Sequence, residues 1–148
     1  MKQAIDKFFS SGAYAIVGVS TDTKKFGNAA FRAMKEKGFT VFPVNPKRDL
    51  IGEDPCFASV LDLPDEVKAV VTVVPPAETE KVIHDCVKKG ITAVWMQKGS
   101  ESQKAIREAE ESGIAVVHGQ CIVMFLEPVE GFHSFHRWFT RLVGAYPG

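Results

Sequence analysis

Cysteine is scarce in this sequence, with three residues in 148, and Cys56, Cys86 and Cys121 are far apart and odd in number. That excludes a disulfide framework and the paired spacing of a zinc site, and leaves reduced thiols as expected in the cytoplasm. Charge of one sign is not in excess either: Lys plus Arg and Asp plus Glu each total 18. Without a basic surplus, nucleic acid is not an expected partner. No apolar run reaches the length of a membrane span, and the opening Met1-Lys2-Gln3-Ala4 does not read as a signal peptide. Two well-known glycine motifs are missing as well. Gly18 is followed by Ser20 where a dinucleotide fingerprint needs a second glycine, and Gly27 comes nine residues later. No segment fits G-x-x-x-x-G-K-[ST].

What is present is an alternation. Short runs rich in Val and Ile are followed by amphipathic patterns that end in glycine. Strands are expected at Ala13–Val19, Thr40–Val44, Ala69–Val74, Thr92–Met96 and Ile114–Val117. Asn28 is the expected N-cap of a helix carrying Ala30, Phe31 and Met34, which Gly38 ends. Phe57, Val60 and Leu61 stand at helical spacing in the second crossover. Pro76 opens a further helix with Val82, Ile83, Cys86 and Val87 on one side before Gly90, and another covers about Glu101–Ser112. Ile5, Phe8 and Phe9 mark an N-terminal helix, and an aromatic C-terminal helix is expected over about 132–143. Nearly all-apolar strands alternating with helices imply an α/β, Rossmann-like, doubly wound sheet of five parallel strands with helices on both faces. The whole of 1–148 reads as one domain.

In such a sheet the ligand lies beyond the carboxyl ends of the strands. The first loop there, Gly18–Asn28, contains Val19, Ser20, Lys25, Phe26 and Gly27 and runs into a helix N-terminus. Backbone N–H groups and ammonium groups around one point suit a phosphate or pyrophosphate. After strand two stand Val44, Asn45, Pro46, Lys47 and Arg48, where NAD enzymes usually carry an acid. Basic residues there favour an extra ribose phosphate, as in NADP or coenzyme A, although a solvated basic turn reads the same way. After strand three, Val74, Pro75 and Pro76 form a stiff apolar wall, and Gln97 begins the fourth loop.

Together these residues resemble the CoA-binding domain family, the module at the N-terminus of the succinyl-CoA synthetase alpha subunit, and its small stand-alone members. The segments that carry the resemblance are Ile16–Ser20, Lys25–Asn28, Val44–Lys47, Leu63-Pro64, Val74–Pro76, Ala93–Gln97 and Gly113–Cys121, over roughly residues 13–125. The resemblance implies coenzyme A as ligand across the strand ends. It places Gly18, Ser20, Phe26, Gly27 and Asn28 on the phosphate loop, Val44–Lys47 against the nucleotide, and Val74–Pro76 on the apolar wall. The synthetase reaction also needs a domain with a phosphorylated histidine and a nucleotide-binding partner subunit. That reaction is therefore not expected of this sequence alone.

Catalytic and metal chemistry find little support. His133 and His136 stand three apart but lack further ligands and sit among Phe132, Phe135, Trp138 and Phe139, which reads as a packed helix and a possible homodimer contact. His118 and Cys121 are also three apart, yet a buried thiol is the commoner outcome. The expectation is a non-catalytic module that holds coenzyme A or an acyl-CoA as carrier, sensor or partner. The alternative is a small NADP-binding oxidoreductase or a subunit of one.

Overall fold

The computed structural model describes residues 1–126. Its order is α1 (Lys2–Phe9), β1 (Ala13–Val17), α2 (Phe26–Glu36), β2 (Thr40–Val44), β3 (Leu50–Ile51), β4 (Asp54–Pro55), a 3-10 turn (Val60–Asp62), β5 (Ala69–Thr72), α3 (Pro76–Lys89), β6 (Ala93–Met96), α4 (Gln103–Glu111), β7 (Ala115–His118) and a second 3-10 turn (Ile122–Phe125). Five strands pair in parallel in the order β2-β1-β5-β6-β7, which is the flavodoxin-like winding. The expected five-stranded α/β sheet is thus the observed one. The expected helix at 132–143, with His133 and His136, lies outside the described residues.

Side-chain alternation along the strands builds two cores. Tyr14 and Ile16 of β1 face one side, where Ile5 and Phe8 of α1 and Ala30, Phe31 and Met34 of α2 pack. Ala15 and Val17 face the other, with Ile83 and Cys86 of α3 and Ala105, Ile106 and Ala109 of α4. Every residue of β1, β5 and β6 is buried, as covering on both faces requires. An aromatic group holds α1 to the sheet: Phe8 stands 5.4 Å from Trp95, and Trp95 stands 5.2 Å from Phe125. Among the described residues no helix is long and apolar enough to cross a membrane.

Several boundaries differ from the sequence expectation. Strand one ends at Val17 and strand three at Thr72, so Val19 and Val74 belong to the edge loops. Asn28 is not an N-cap. Helix α2 starts at Phe26, with Lys25 in the capping position and no side-chain cap, so Asn28 lies in its first turn. Helix α4 instead begins after Ser102, whose Oγ accepts from the Ala105 N–H. The crossover from β2 to β5 holds no α-helix. It is the small hairpin β3–β4, whose turn is made by Gly52 at φ 60°, followed by the 3-10 turn capped by Ser59. Phe57 there lies beside β2: its N–H donates to the Pro43 carbonyl at 3.0 Å, and its carbonyl accepts from the Asn45 N–H at 2.9 Å. Lys35 of α2 pins the hairpin through Asp54 at 2.6 Å.

Candidate functional site at the carboxyl edge

The switch point of this winding falls between β1 and β5, and the loops that leave those two strands touch. Gly18 has φ +106°, and a Cβ there would overlap the Val73 carbonyl and lie 3.0 Å from Val74 Cγ1. A side chain on Gly27 would in turn overlap the Gly18 carbonyl and come 3.3 Å from Val19 Cα. The two glycines therefore seat the start of α2 directly on the end of β1. The resemblance places Gly27 on the phosphate loop. What the geometry gives it is close helix–strand packing, the role of the third glycine in dinucleotide folds.

Two asparagines hold the first loop from opposite sides. Asn45 Nδ2 donates to the Val19 carbonyl at 2.8 Å, while its Oδ1 accepts from the Lys47 N–H at 2.9 Å. Asn28 Nδ2 donates to the Ser20 carbonyl at 2.7 Å. With these carbonyls engaged, the N–H groups of Val19, Ser20 and Thr21 have no partner among the described residues. The first turn of α2 adds N–H groups without a side-chain cap. Asn28 Oδ1 is buried and without a hydrogen bond, the sole such side-chain atom among the described residues. An unmet acceptor of this kind costs about 1–3 kcal/mol unless a donor reaches it.

The remaining candidates fall on the same edge. Pro46, Lys47, Arg48, Lys24 and Lys25 are exposed, and none of the basic four has an acidic partner within salt-bridge distance among the described residues. Val19 and Val44 have buried side chains, so only their main chain is available to a ligand. The Val44 carbonyl is already taken by the Gly18 N–H at 3.0 Å. Phe26 is half-buried against the α1/α2 core. Pro75 and Pro76 are exposed at the start of α3. With Val73, Val74, Gln97, Lys98, Gly99 and Ser100, Pro75 lines a cleft of about 320 Å³.

The bonding of Glu101 and Ser100 in the fourth loop was not among the sequence expectations. Glu101 bridges two loops, accepting from Gly99 N–H at 2.7 Å and Gly119 N–H at 3.1 Å. Ser100 Oγ donates to the Thr72 carbonyl at 2.9 Å, so the 2.8 Å bond between the two hydroxyls is donated by Thr72. Ser100 has then spent its proton inside the protein. A serine or acid within two residues of a glycine is the only sequence signal for either role, and it is too common to single them out.

Thiols and metals complete the inventory. Burial pushes the Cys86 thiol well above the ordinary range, with Asp85 adding to it. Burial also raises Cys56, against a lowering hydrogen bond to Asn45 and with Asp49 adding to the rise. No three acids, histidines or cysteines among the described residues gather as a metal site.

The structure is a flavodoxin-wound α/β sheet whose switch point carries a braced, amide-rich loop and cations without an acidic partner among the described residues. Residues 12–127 match the CoA binding domain family, and the chain belongs to it. The resemblance noted from the sequence is therefore borne out. The chain is 31% identical over 144 residues to an ADP-forming acetate–CoA ligase of Archaeoglobus fulgidus, covering 90% of this chain and 21% of that protein. It is 30% identical to the alpha subunit of ADP-forming acetate–CoA ligase II of Pyrococcus furiosus, covering 80% of this chain and 28% of the subunit. It thus spans about a fifth to a quarter of these ligase chains. A conserved hypothetical protein of Pyrococcus furiosus matches in structure with TM-score 0.75 and 37% identity, over 77% of this chain and 98% of that one.

Proposed function

We propose that the protein binds coenzyme A or an acyl-CoA at the carboxyl edge of its sheet, as a carrier, sensor or partner module without catalysis of its own. The observation that carries this reading is the first loop. Its carbonyls are turned onto Asn28 and Asn45 while consecutive N–H groups have no partner among the described residues beside a helix N-terminus. That polarity suits a pyrophosphate. Family membership supports coenzyme A over other diphosphates.

In this reading Val19, Ser20 and the start of α2 at Phe26, Gly27 and Asn28 hold the pyrophosphate through main chain, with Gly18, whose N–H is taken by Val44, seating the loop and Lys25 as an outer charge. Asn45 fixes the turn that presents Lys47, and Lys47 with Arg48 meets the ribose 3′-phosphate. Val74, Pro75 and Pro76 offer an apolar wall, and Gln97 a polar contact beside it. A second copy of the chain is the protein partner we propose, through the aromatic sequence Phe132, Phe135, Trp138 and Phe139. Lys47 and Arg48 would serve the 2′-phosphate of NADP equally well, so the decisive measurement is comparative. Calorimetry with coenzyme A, dephospho-CoA, NADP and NAD should rank coenzyme A first and NAD last. NADP binding tighter than coenzyme A would replace this reading with a dinucleotide one.

A further inference from the structure

Gln97 is an edge residue whose side chain reaches the segment after β7 while keeping a polar group in hand. Its N–H donates to the Thr72 carbonyl at 3.0 Å, which locks its main chain to β5. Its Oε1 accepts from the Ile122 N–H at 3.0 Å. An N–H can only donate, so the oxygen of the amide is fixed on Ile122 and the NH2 group is at the other end. That NH2 has no protein partner among the described residues and is not among the fully buried atoms. Gln97 itself is 7% exposed and lines the cleft with Val74 and Pro75. Val74 in turn lies against Gly18 of the first loop.

Beyond the amide oxygen is the segment that leaves β7. Three side chains around β6 hold it: Trp95 Nε1 donates to the Gln120 carbonyl at 3.0 Å, Glu101 accepts from Gly119, and Gln97 accepts from Ile122. Both carboxylate oxygens of Glu101 are used within the protein, and the indole of Trp95 is wholly buried. Gln97 alone of the three has an unused group at the cleft. The turn that follows buries Ile122 and Phe125 and leaves Val123 and Met124 exposed.

We propose that Gln97 is a positioning residue that couples occupancy of the cleft to the hold on Ile122. An acceptor oxygen of the ligand that takes Nε2 fixes the plane of the amide, and the same plane carries Oε1. Polarisation through the amide strengthens the second bond when the first is made. The exposed turn at Val123 and Met124 is therefore gripped more firmly when ligand is bound. This inference rests on the coenzyme A reading given above.

The test is hydrogen exchange at the Ile122 amide, with and without saturating coenzyme A, alongside calorimetry that measures binding separately. Exchange in the wild type should slow by roughly two- to tenfold, the range one net hydrogen bond gives. Gln97→Glu keeps an acceptor oxygen and loses the donor. It should retain the ligand-free protection and lose the ligand-dependent change. Gln97→Met, which loses both, should exchange fast in either state. Calorimetric binding with unchanged Ile122 exchange overturns the coupling and leaves the binding reading standing, as does a Gln97→Glu protein that still responds. Absence of calorimetric binding overturns both together.

Discussion

The carbonyl oxygen of Gly18 occupies the space that a Cβ on Gly27 would need. Gly27 lies in the first turn of α2, where alanine for glycine would ordinarily help the helix by about 0.5–1 kcal/mol. Here overlap with backbone reverses the sign. Gly27→Ala is expected to destabilise the protein by about 1–3 kcal/mol, read as a lower midpoint in urea. Lys25→Ala, at an exposed position, should leave the midpoint unchanged and weaken ligand binding only modestly.

Asn45 supplies both a donor to Val19 and an acceptor for Lys47. Asn45→Ala removes the brace and releases the turn, at an expected cost of about 1–3 kcal/mol in stability. Coenzyme A affinity should fall by about tenfold or more, since two loops lose their relative position. Calorimetry and denaturant melts on the same variant separate the two effects. An unchanged affinity would show that the loops hold their geometry without it.

The role given to Lys47 predicts a difference between ligands. A charge-assisted contact of about 1.5–3 kcal/mol corresponds to roughly ten- to a hundredfold in affinity. Wild type should favour coenzyme A over dephospho-CoA by that factor, and Lys47→Ala should erase the preference. The preference should also shrink as salt rises, because Lys47 is exposed.

Cys86 gives a pH dependence whose sign follows from burial. Its thiol is raised in the folded protein, so above about pH 8.5 the unfolded chain releases a proton that the folded chain keeps. The unfolded state then binds fewer protons, and stability falls as pH rises. The slope approaches about 1.4 kcal/mol per pH unit for this group. Denaturant midpoints between pH 8 and 10 should show it in wild type, and Cys86→Ala should remove this component. Below pH 8 the two proteins should show parallel profiles.

The aromatic sequence near the end gives a prediction about assembly. Deleting residues 131–148 should convert a dimeric species to monomer in sedimentation or lower its stability. A deleted protein that sediments and melts like the full chain would remove the proposed contact.

The sheet was legible because fully buried strands must be apolar throughout, and β1, β5 and β6 are. Pro76 and Gly90 marked the ends of α3 for equally local reasons, a preset φ and a left-handed cap. The hairpin between β2 and β5 was not legible. Two-residue strands carry no periodicity, and Phe57, Val60 and Leu61 mimic a helical stripe although Phe57 lies beside β2, Val60 is in the core and Leu61 is exposed. The loops of the candidate site were found because topology sends them to one edge. The part played by Asn28 was missed because an asparagine before an apolar run reads as a cap. Its actual bond, to Ser20 eight residues earlier, depends on how the loop returns. The bonds of Ser100 and Glu101 were not legible for the same reason, since Thr72 of β5 and Gly119 after β7 reach them only through the fold.

Beside β2, the outermost strand, Phe57 acts as a one-residue extension of the sheet, and Pro43 under it has no N–H to offer. A residue's N–H and C=O face the same side of a strand, so the missing donor and the occupied carbonyl of Pro43 both lie on the outer edge. An incoming strand would find neither, and the sheet is closed to growth there. Copies of this chain that meet at that edge have no ladder to share, which separates orderly assembly through side chains from runaway stacking. Loss of Phe57's bonds in a variant would bare the Pro43 carbonyl and the Asn45 N–H, while the missing donor of Pro43 would still interrupt any ladder there.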